Sequence, residues 1–137
     1  MSYTVFIIED NKAIRSAYHQ VLSREADMYI GGEAATAAEG LAKLSEIDVD
    51  VILVDLALPD QSGLELLIRI KQEYPTKPVL IVSGQPEYVY KARVLKLGAS
   101  GYIDKVKVVS VLADAIRMVT SGYIYTAPDI PYNVNNY

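Results

Sequence analysis

The run Val51-Ile52-Leu53-Val54-Asp55 sets four branched apolar residues directly before a carboxylate. A short stretch that is apolar at every position is typical of a central strand in a parallel sheet, buried on both faces. In open α/β sheets, ligands bind at the carboxyl ends of such strands. A carboxylate in that position needs a charged partner, a metal or a chemical role. Asp55 is therefore the first candidate functional residue.

Other apolar runs of the chain also end in polar side chains. These are Glu9 and Asp10 after residues 3–8, Ser83 after residues 79–82, and Lys105 after the short stretch 101–104. Because parallel strands end at one edge of their sheet, we expect these side chains to converge with Asp55. Carboxylates, a hydroxyl and an ammonium together suit a divalent cation and a phosphoryl group.

Strand and helix patterns alternate along the chain. The predicted strands cover residues 3–8, 28–34, 50–55, 78–82 and 100–103. Helical spacing of apolar residues predicts helices at 11–24, from 36 onward, and at 64–73, 86–97 and 108–121. With right-handed crossovers, these units predict an α/β fold. It is a (βα)5 doubly wound, five-stranded parallel sheet of the flavodoxin-like class, with strand order 2-1-3-4-5.

Composition narrows the class of protein. The chain has 137 residues, of which 51% are hydrophobic, a net charge of −4 and no cysteine. These values fit one globular domain and exclude disulfides and thiolate metal sites. The mild negative charge argues against DNA binding by this domain itself. No apolar run approaches the ~18 residues of a membrane span, and the N-terminus lacks the basic start of a signal peptide. We therefore expect a cytoplasmic protein without membrane contact.

Each candidate residue also has an ordinary structural explanation. Glu9 and Asp10 could form a solvated helix start, where acids interact favourably with the helix dipole. Ser83 could cap a turn, and Lys105 could be a surface lysine. Their occurrence at successive strand ends is what favours a shared site.

Several segments resemble the response-regulator receiver domains of bacterial two-component signalling. They are Ile8-Glu9-Asp10-Asn11, the segment from Asp55 through Pro59 to Gly63, Ile81-Val82-Ser83-Gly84, and the segment from Gly98 through Tyr102 to Lys105. They follow the order and spacing of that family over residues 3 to about 122. The Gly-Ala-Ser-Gly-Tyr run and the ending Ser121-Gly122-Tyr123 further resemble the NarL/FixJ type, in which a helix-turn-helix domain follows.

The resemblance implies a phosphoacceptor and a metal site. Asp55 would accept the phosphoryl group, because a carboxylate can act as a covalent nucleophile. Asp10, Asp55 and the backbone carbonyl of Ala57 would bind Mg²⁺ directly, and Glu9 would bind it through water. The first acid is Glu9, where Asp is commoner in the family, and its extra methylene still permits that contact.

The resemblance also implies a switch. Lys105 would neutralise one phosphoryl oxygen as a point charge, and Ser83 would donate its hydroxyl to another. Tyr102 would be the switch aromatic, turning inward when Ser83 moves. Lys105 is followed by Val106, where many receivers carry proline.

The expected biology follows from the same family. A receiver domain would occupy residues 1–122, and residues 123–137 would be a tail or the start of a linker to an absent output domain. The partner would be a sensor histidine kinase, with a homodimer forming on phosphorylation. DNA would be reached only through the absent output domain. The domain would not be a conventional enzyme, since it catalyses only its own phosphorylation and dephosphorylation.

Three other functions remain open. The chain could be a stand-alone regulator. It could be a haloacid-dehalogenase-type phosphohydrolase, but that class expects an acid two residues after the nucleophile, where this chain has Ala57. It could bind a nucleotide, but Glu9 and Asp10 would repel a phosphate unless a metal intervened. Tyr88 and Tyr90 could either form a partner surface or cover the core.

Overall fold

The computed structural model describes residues 2–125 of the 137-residue chain. Strands and helices alternate in these residues, as predicted, and a short 3₁₀ helix at Lys105–Lys107 precedes the last helix. The elements are β1 (Tyr3–Ile8), α1 (Lys12–Leu22), β2 (Met28–Ala34), α2 (Ala37–Leu44), β3 (Val51–Asp55), α3 (Gly63–Glu73), β4 (Val79–Ser83), α4 (Glu87–Lys96), β5 (Gly101–Asp104) and α5 (Val108–Thr120).

The strands form one parallel sheet in the order β2-β1-β3-β4-β5, so the predicted fold class and strand order are confirmed. Val51–Asp55 lies at the centre and every residue in it is buried. That position explains its unbroken apolar sequence, because a central parallel strand is covered by helices on both faces.

Side-chain caps start several of the helices. Asn11 accepts from the Ile14 amide at 3.1 Å, and Thr36 accepts from the Glu39 amide at 3.1 Å. Each satisfies an amide that has no partner within the helix. After α4, Gly98 adopts a φ of +105°, a conformation that favours glycine and ends the helix. These local signals explain why the predicted helix limits lie close to the observed ones.

The core has one half on each face of the sheet. In β1, Val5 and Ile7 pack with α1 and α5, whereas Phe6 and Ile8 pack with α2, α3 and α4. This alternation is the period of two expected for a strand. No helix within residues 2–125 has the length and apolar character needed to cross a membrane.

The chain after α5 packs onto the domain at one point. The Tyr125 amide donates to the Ser100 carbonyl at 2.7 Å, and Tyr125 is buried beside Gly101 at the edge of β5. The sequence predicts instead that Tyr125 belongs to a tail starting at Tyr123. The boundary after Gly122 stays a prediction, and residues 126–137 lie outside the described part of the chain.

Candidate functional site

The carboxyl ends of β1 and β3 bring three acids together. β1 and β3 are neighbours in the sheet, so Glu9, Asp10 and Asp55 follow adjacent strands. Each offers an oxygen, and these oxygens lie within 4.8 Å of one another. Glu9 and Asp55 are buried, while Asp10 is exposed. The convergence predicted from the strand ends is therefore present.

Asp55 occupies the centre of this cluster. Its side chain is 3% exposed, and its Oδ1 accepts from the Ala57 amide at 3.2 Å. Its Oδ2 lies 3.2 Å from Lys105 Nζ. The carboxylate is thus held by a backbone amide on one oxygen and an ammonium on the other, at the wall of an open cleft. It is both buried and reachable from solvent.

Glu9 lies deeper than the solvated helix start considered above would place it. Its side chain is 1% exposed, and Oε2 accepts from the Asn11 amide at 3.1 Å. Oε1 is buried without a hydrogen-bond partner, with Lys105 Nζ 3.4 Å away. Burial raises the pKa of Glu9 to about 7, and the charge of Asp55 acts in the same direction. A buried oxygen of this kind is costly unless a cation joins it.

Lys105 is the cation that pairs with the carboxylates of Glu9 and Asp55. Desolvation opposes its charged form, but the charges of Asp55 and Glu9 outweigh this and raise the pKa of Lys105. The next residue, Val106, keeps a backbone amide that proline would lack, and this amide donates to Asp104 Oδ1 at 3.1 Å. The Lys105–Val106 peptide is trans. Asp104 therefore caps the 3₁₀ helix that carries Lys105 at its start.

The acid cluster fits a hard divalent cation. One lysine faces the two buried carboxylates, and Glu9 Oε1 still lacks a donor. Mg²⁺ is usually bound by one or two carboxylates together with water, and the exposed Asp10 supplies an oxygen on the solvent side. The donor set contains only oxygen, which suits Mg²⁺ better than softer metals.

Ser83 and Tyr102 meet through the loop after β4. Ser83 is buried, and its hydroxyl oxygen accepts from the Gln85 amide at 3.0 Å. The Tyr102 hydroxyl donates to the Gln85 carbonyl at 2.6 Å. Tyr102 is fully buried, so its ring already occupies the inward position in this structure. Gln85 thus connects the two residues that the resemblance marks as the switch.

A cleft of about 320 Å³ opens beside Asp55. Its walls come from the segments that follow β3, β4 and β5 and from the starts of α3 and α4. The lining residues include Leu56, Ala57, Ser62, Leu64, Ser83, Gly84, Gln85, Tyr90 and Lys105. Tyr90 is half-buried against this cleft, whereas Tyr88 is 90% exposed. Tyr88 therefore does not cover the core, and a partner surface at that residue stays a prediction.

Three residues near the site were missed by sequence reasoning. Arg15 donates to the backbone carbonyl of Glu9 at 2.6 Å. Tyr18 is buried below the acids, and burial together with the charges of Glu9 and Asp55 raises its pKa. Asp60 binds the start of α2. Arg15 follows the helix cap Asn11 by one turn, which is the one local signal available for these contacts.

Comparison with known proteins agrees with these features. Residues 5–117 match the sequence profile of the family described as response regulator receiver domain. The glycerol metabolism activator of Pseudomonas putida is 35% identical over 132 residues, covering 93% of this chain and 58% of that protein. The response regulator protein VraR of Staphylococcus aureus is 30% identical, covering 99% of this chain and 65% of that protein. The chain thus spans about three fifths of the length of these relatives.

Solved structures share the fold. A two-component response regulator of the LuxR family from Aurantimonas superposes with a TM-score of 0.88 at 25% identity, covering 99% of this chain and 97% of that one. The non-phosphorylated receiver domain of the stress response regulator RcsB from Escherichia coli gives a TM-score of 0.87 at 21% identity, covering 93% of this chain and 99% of that one.

Proposed function

Because the chain belongs to the family of response regulator receiver domains, we propose that it is a signalling switch controlled by phosphorylation of Asp55. One observation carries the assignment to this residue. Asp55 is the buried carboxylate that lines the open cleft, lies within reach of two further acids, and has an ammonium 3.2 Å from Oδ2. A nucleophile, a cation site and a group that neutralises phosphoryl charge therefore lie side by side.

The reaction transfers a phosphoryl group to an oxygen of Asp55. The donor is a phosphohistidine of a sensor kinase or a small acyl phosphate. A bond forms between the Asp55 oxygen and phosphorus, the bond from phosphorus to the donor breaks, and the leaving group keeps the electron pair. Lys105 is close enough to pair with one oxygen of the transferred group, and the Ser83 hydroxyl can donate to another.

We propose Mg²⁺ as the cation, held by Asp10, Asp55 and the carbonyl of Ala57, with Glu9 contributing through water. Bound Mg²⁺ would offset the negative charge of the phosphoryl oxygens. Lys105 has a role of its own beside that metal, since its ammonium lies 3.2 Å from Asp55 Oδ2 and 3.4 Å from Glu9 Oε1.

The partner and the output follow from the relatives. We propose that a sensor histidine kinase supplies the phosphoryl group and that the complete protein regulates transcription through a DNA-binding domain absent from this chain. The LuxR-family description of the Aurantimonas regulator supports this output. A stand-alone regulator is the alternative, and the sequence that follows Tyr137 in the natural gene would distinguish the two.

The assignment of Asp55 is tested with Mg²⁺, acetyl phosphate and intact-mass spectrometry. We expect one labile adduct of the mass of a phosphoryl group on the wild type and none on Asp55→Asn. Asp50→Asn is the matched control, because Asp50 directly precedes β3 and so lies at the amino end of the strand whose carboxyl end is Asp55. An undiminished adduct on Asp55→Asn would contradict the assignment.

The same protein also tests the phosphohydrolase alternative. Two residues after Asp55 stands Ala57, which cannot protonate a leaving group. We therefore expect no repeated turnover of p-nitrophenyl phosphate with Mg²⁺ when the substrate is in large molar excess over the protein. Sustained release of p-nitrophenol that is lost in Asp55→Asn would favour the phosphohydrolase instead.

A further inference from the structure

The loop between β3 and α3 is folded tightly at its base. Ala57 and Ser62 form an antiparallel bridge, and the Gly63 amide donates to the Leu56 carbonyl at 2.9 Å. A Cβ at Gly63 would lie 2.4 Å from the carbonyl oxygen of Asp55, so glycine is needed for this close approach. The base of the loop is therefore attached to the end of β3, beside the proposed phosphoacceptor.

The tip of the same loop is attached to a different element. Asp60 Oδ1 accepts from the Ala37 amide at 2.9 Å, and Asp60 Oδ2 accepts from the Ala38 amide at 3.0 Å. These are the first two amides of α2, which have no acceptor within the helix. The side chain of Thr36 satisfies the next one, at Glu39. Asp60 thus completes the cap of α2 from a position more than 20 residues along the chain.

Helix α2 is in turn seated closely on β1. A Cβ at Gly40 would lie 2.6 Å from Ile8 Cδ1, so the absence of a side chain lets the helix approach the strand. Ile8 directly precedes Glu9. Helix α2 therefore contacts both parts of the proposed cation site. It holds the loop that carries Ala57 through Asp60, and it packs through Gly40 on the strand that ends at Glu9 and Asp10.

From this arrangement we propose that Asp60 is a positioning residue for the cation site. By holding the loop to α2, it sets the distance between the Ala57 carbonyl and the acids after β1. The proposal rests on the proposed function, because it assumes that Ala57 and those acids share a cation. The pKa of Asp60 is lowered by the amides of Ala37 and Ala38, which agrees with an ionised acceptor at neutral pH.

The test compares Asp60→Ala and Asp60→Asn with Thr36→Ala. Asp60→Asn keeps one acceptor oxygen, and Thr36→Ala removes a different cap, the one on the Glu39 amide, from the same helix end. Two quantities are measured on the full chain by NMR. One is the Mg²⁺ dissociation constant from chemical-shift titration, and the other is the hydrogen-exchange rate of the Gly63 amide in metal-free protein.

We expect the Mg²⁺ dissociation constant to rise on the order of tenfold in Asp60→Ala, as for other residues that orient metal ligands. Asp60→Asn should show a smaller rise, Thr36→Ala should stay within about twofold of wild type, and Gly63 should exchange faster in Asp60→Ala. Wild-type affinity in Asp60→Ala, or an equal loss in Thr36→Ala, would overturn the proposal. A wild type that binds no Mg²⁺ would instead overturn the proposed cation site, while an unchanged Gly63 exchange rate would overturn the tether itself.

Discussion

Glu9 is the side chain at which stability and function conflict most directly. Its carboxylate is almost completely buried, one oxygen lacks a hydrogen-bond partner, and Asp55 lies nearby. Without a bound metal ion, the charge costs free energy because desolvation and repulsion from Asp55 together outweigh the attraction of Lys105. The same features make the site attractive to a divalent cation, so the folded domain holds an unfavourable charge in the position where binding can use it.

Replacing this charge should stabilise the metal-free domain. At pH 8, above the pKa of about 7 for Glu9, the wild-type carboxylate is ionised. In Glu9→Gln, the amide oxygen can still accept from Asn11, and the amide nitrogen can donate to Asp55. We expect the free energy of unfolding in EDTA to rise by about 1–3 kcal/mol, measured by urea denaturation.

With Mg²⁺ bound, we expect the wild type to become more stable than Glu9→Gln. Saturating Mg²⁺ stabilises the form that binds it, so the wild type should gain stability and Glu9→Gln should gain less. Glu46→Gln is the control, because Glu46 is exposed. Removal of its charge should change the free energy of unfolding neither in EDTA nor in Mg²⁺. A Glu9→Gln protein that is less stable than the wild type in EDTA would show that the carboxylate stabilises the fold without a cation.

At the scale of elements, the end of α5 is joined to β5 through Tyr125. A Cβ at Gly101 would lie 2.9 Å from Leu80 Cδ2, 2.9 Å from Tyr125 Cβ and 3.1 Å from the Tyr125 carbonyl oxygen. The first residue of β5 therefore lacks a side chain where the chain after Gly122 crosses it. The Tyr125 ring joins the core on the α5 side, so the contact covers part of the sheet edge at β5.

Gly101→Ala should displace Tyr125 and cost about 1–3 kcal/mol of stability, the usual range for overpacking. Tyr125→Ala should be less costly in the Gly101→Ala background than in the wild type, since the ring is already displaced. Gly84→Ala is the control, because its Cβ would have no neighbour within 4 Å. Additive effects of the two substitutions in urea denaturation would contradict a shared contact.

The elements could be predicted from sequence because their signals are local. Val51–Asp55 is apolar throughout, and Asn11 and Thr36 are capping residues that directly precede helices. The contact between Tyr125 and Gly101 could not be predicted. The two residues are 24 positions apart, and no local sequence pattern indicates that they pair. The 3₁₀ helix was missed for a related reason, since its cap by Asp104 depends on where β5 ends.

The sequence predicted which residues meet at the site better than it predicted how they are arranged there. Parallel strands end at one edge, so the meeting of Glu9, Asp55 and Lys105 follows from topology. Which acid would be buried does not follow, because Glu9 and Asp10 are adjacent and alike in chemistry. Burial is decided by the chain turning into α1, where the Asn11 amide draws Glu9 Oε2 inward. Asp60 was missed because the amides that donate to its carboxylate belong to another helix.

At the scale of the whole molecule, the proposed phosphoryl site is connected to a surface. Ser83 and Tyr102 share Gln85, and Tyr102 lies on β5 between the site and the face formed by α4, β5 and α5. Apolar side chains lie exposed near this α4–β5–α5 face, since Tyr88 is 90% exposed and Val106 is 85% exposed. A change at Ser83 therefore has a short physical route to a surface that a partner could bind.

This route predicts that phosphorylation alters self-association. In the structure, the Ser83 hydroxyl oxygen accepts from Gln85. A phosphoryl group on Asp55 would offer that hydroxyl a charged acceptor, so a rearranged loop gains stability only in the phosphorylated state. A hydrogen bond to a charged group contributes about 1.5–3 kcal/mol, which shifts a two-state population by about 10- to 150-fold. With beryllofluoride and Mg²⁺, we expect the dimer dissociation constant to fall, measured by light scattering over a concentration series.

Ser83→Ala tests the coupling through Ser83 separately from phosphorylation itself, because it keeps Asp55 but removes the Ser83 hydroxyl. This variant should still accept a phosphoryl group in the intact-mass assay, and its dimer dissociation constant should respond to beryllofluoride at least tenfold less than that of the wild type. Ser45→Ala is the matched control, because Ser45 lies exposed at the end of α2. Tyr88→Ala should weaken the dimer without changing phosphorylation, since Tyr88 lies on the surface and not in the cleft. Equal responses of the wild type and Ser83→Ala would rule out this route, and a wild type indifferent to beryllofluoride would rule out phosphorylation-dependent dimerisation.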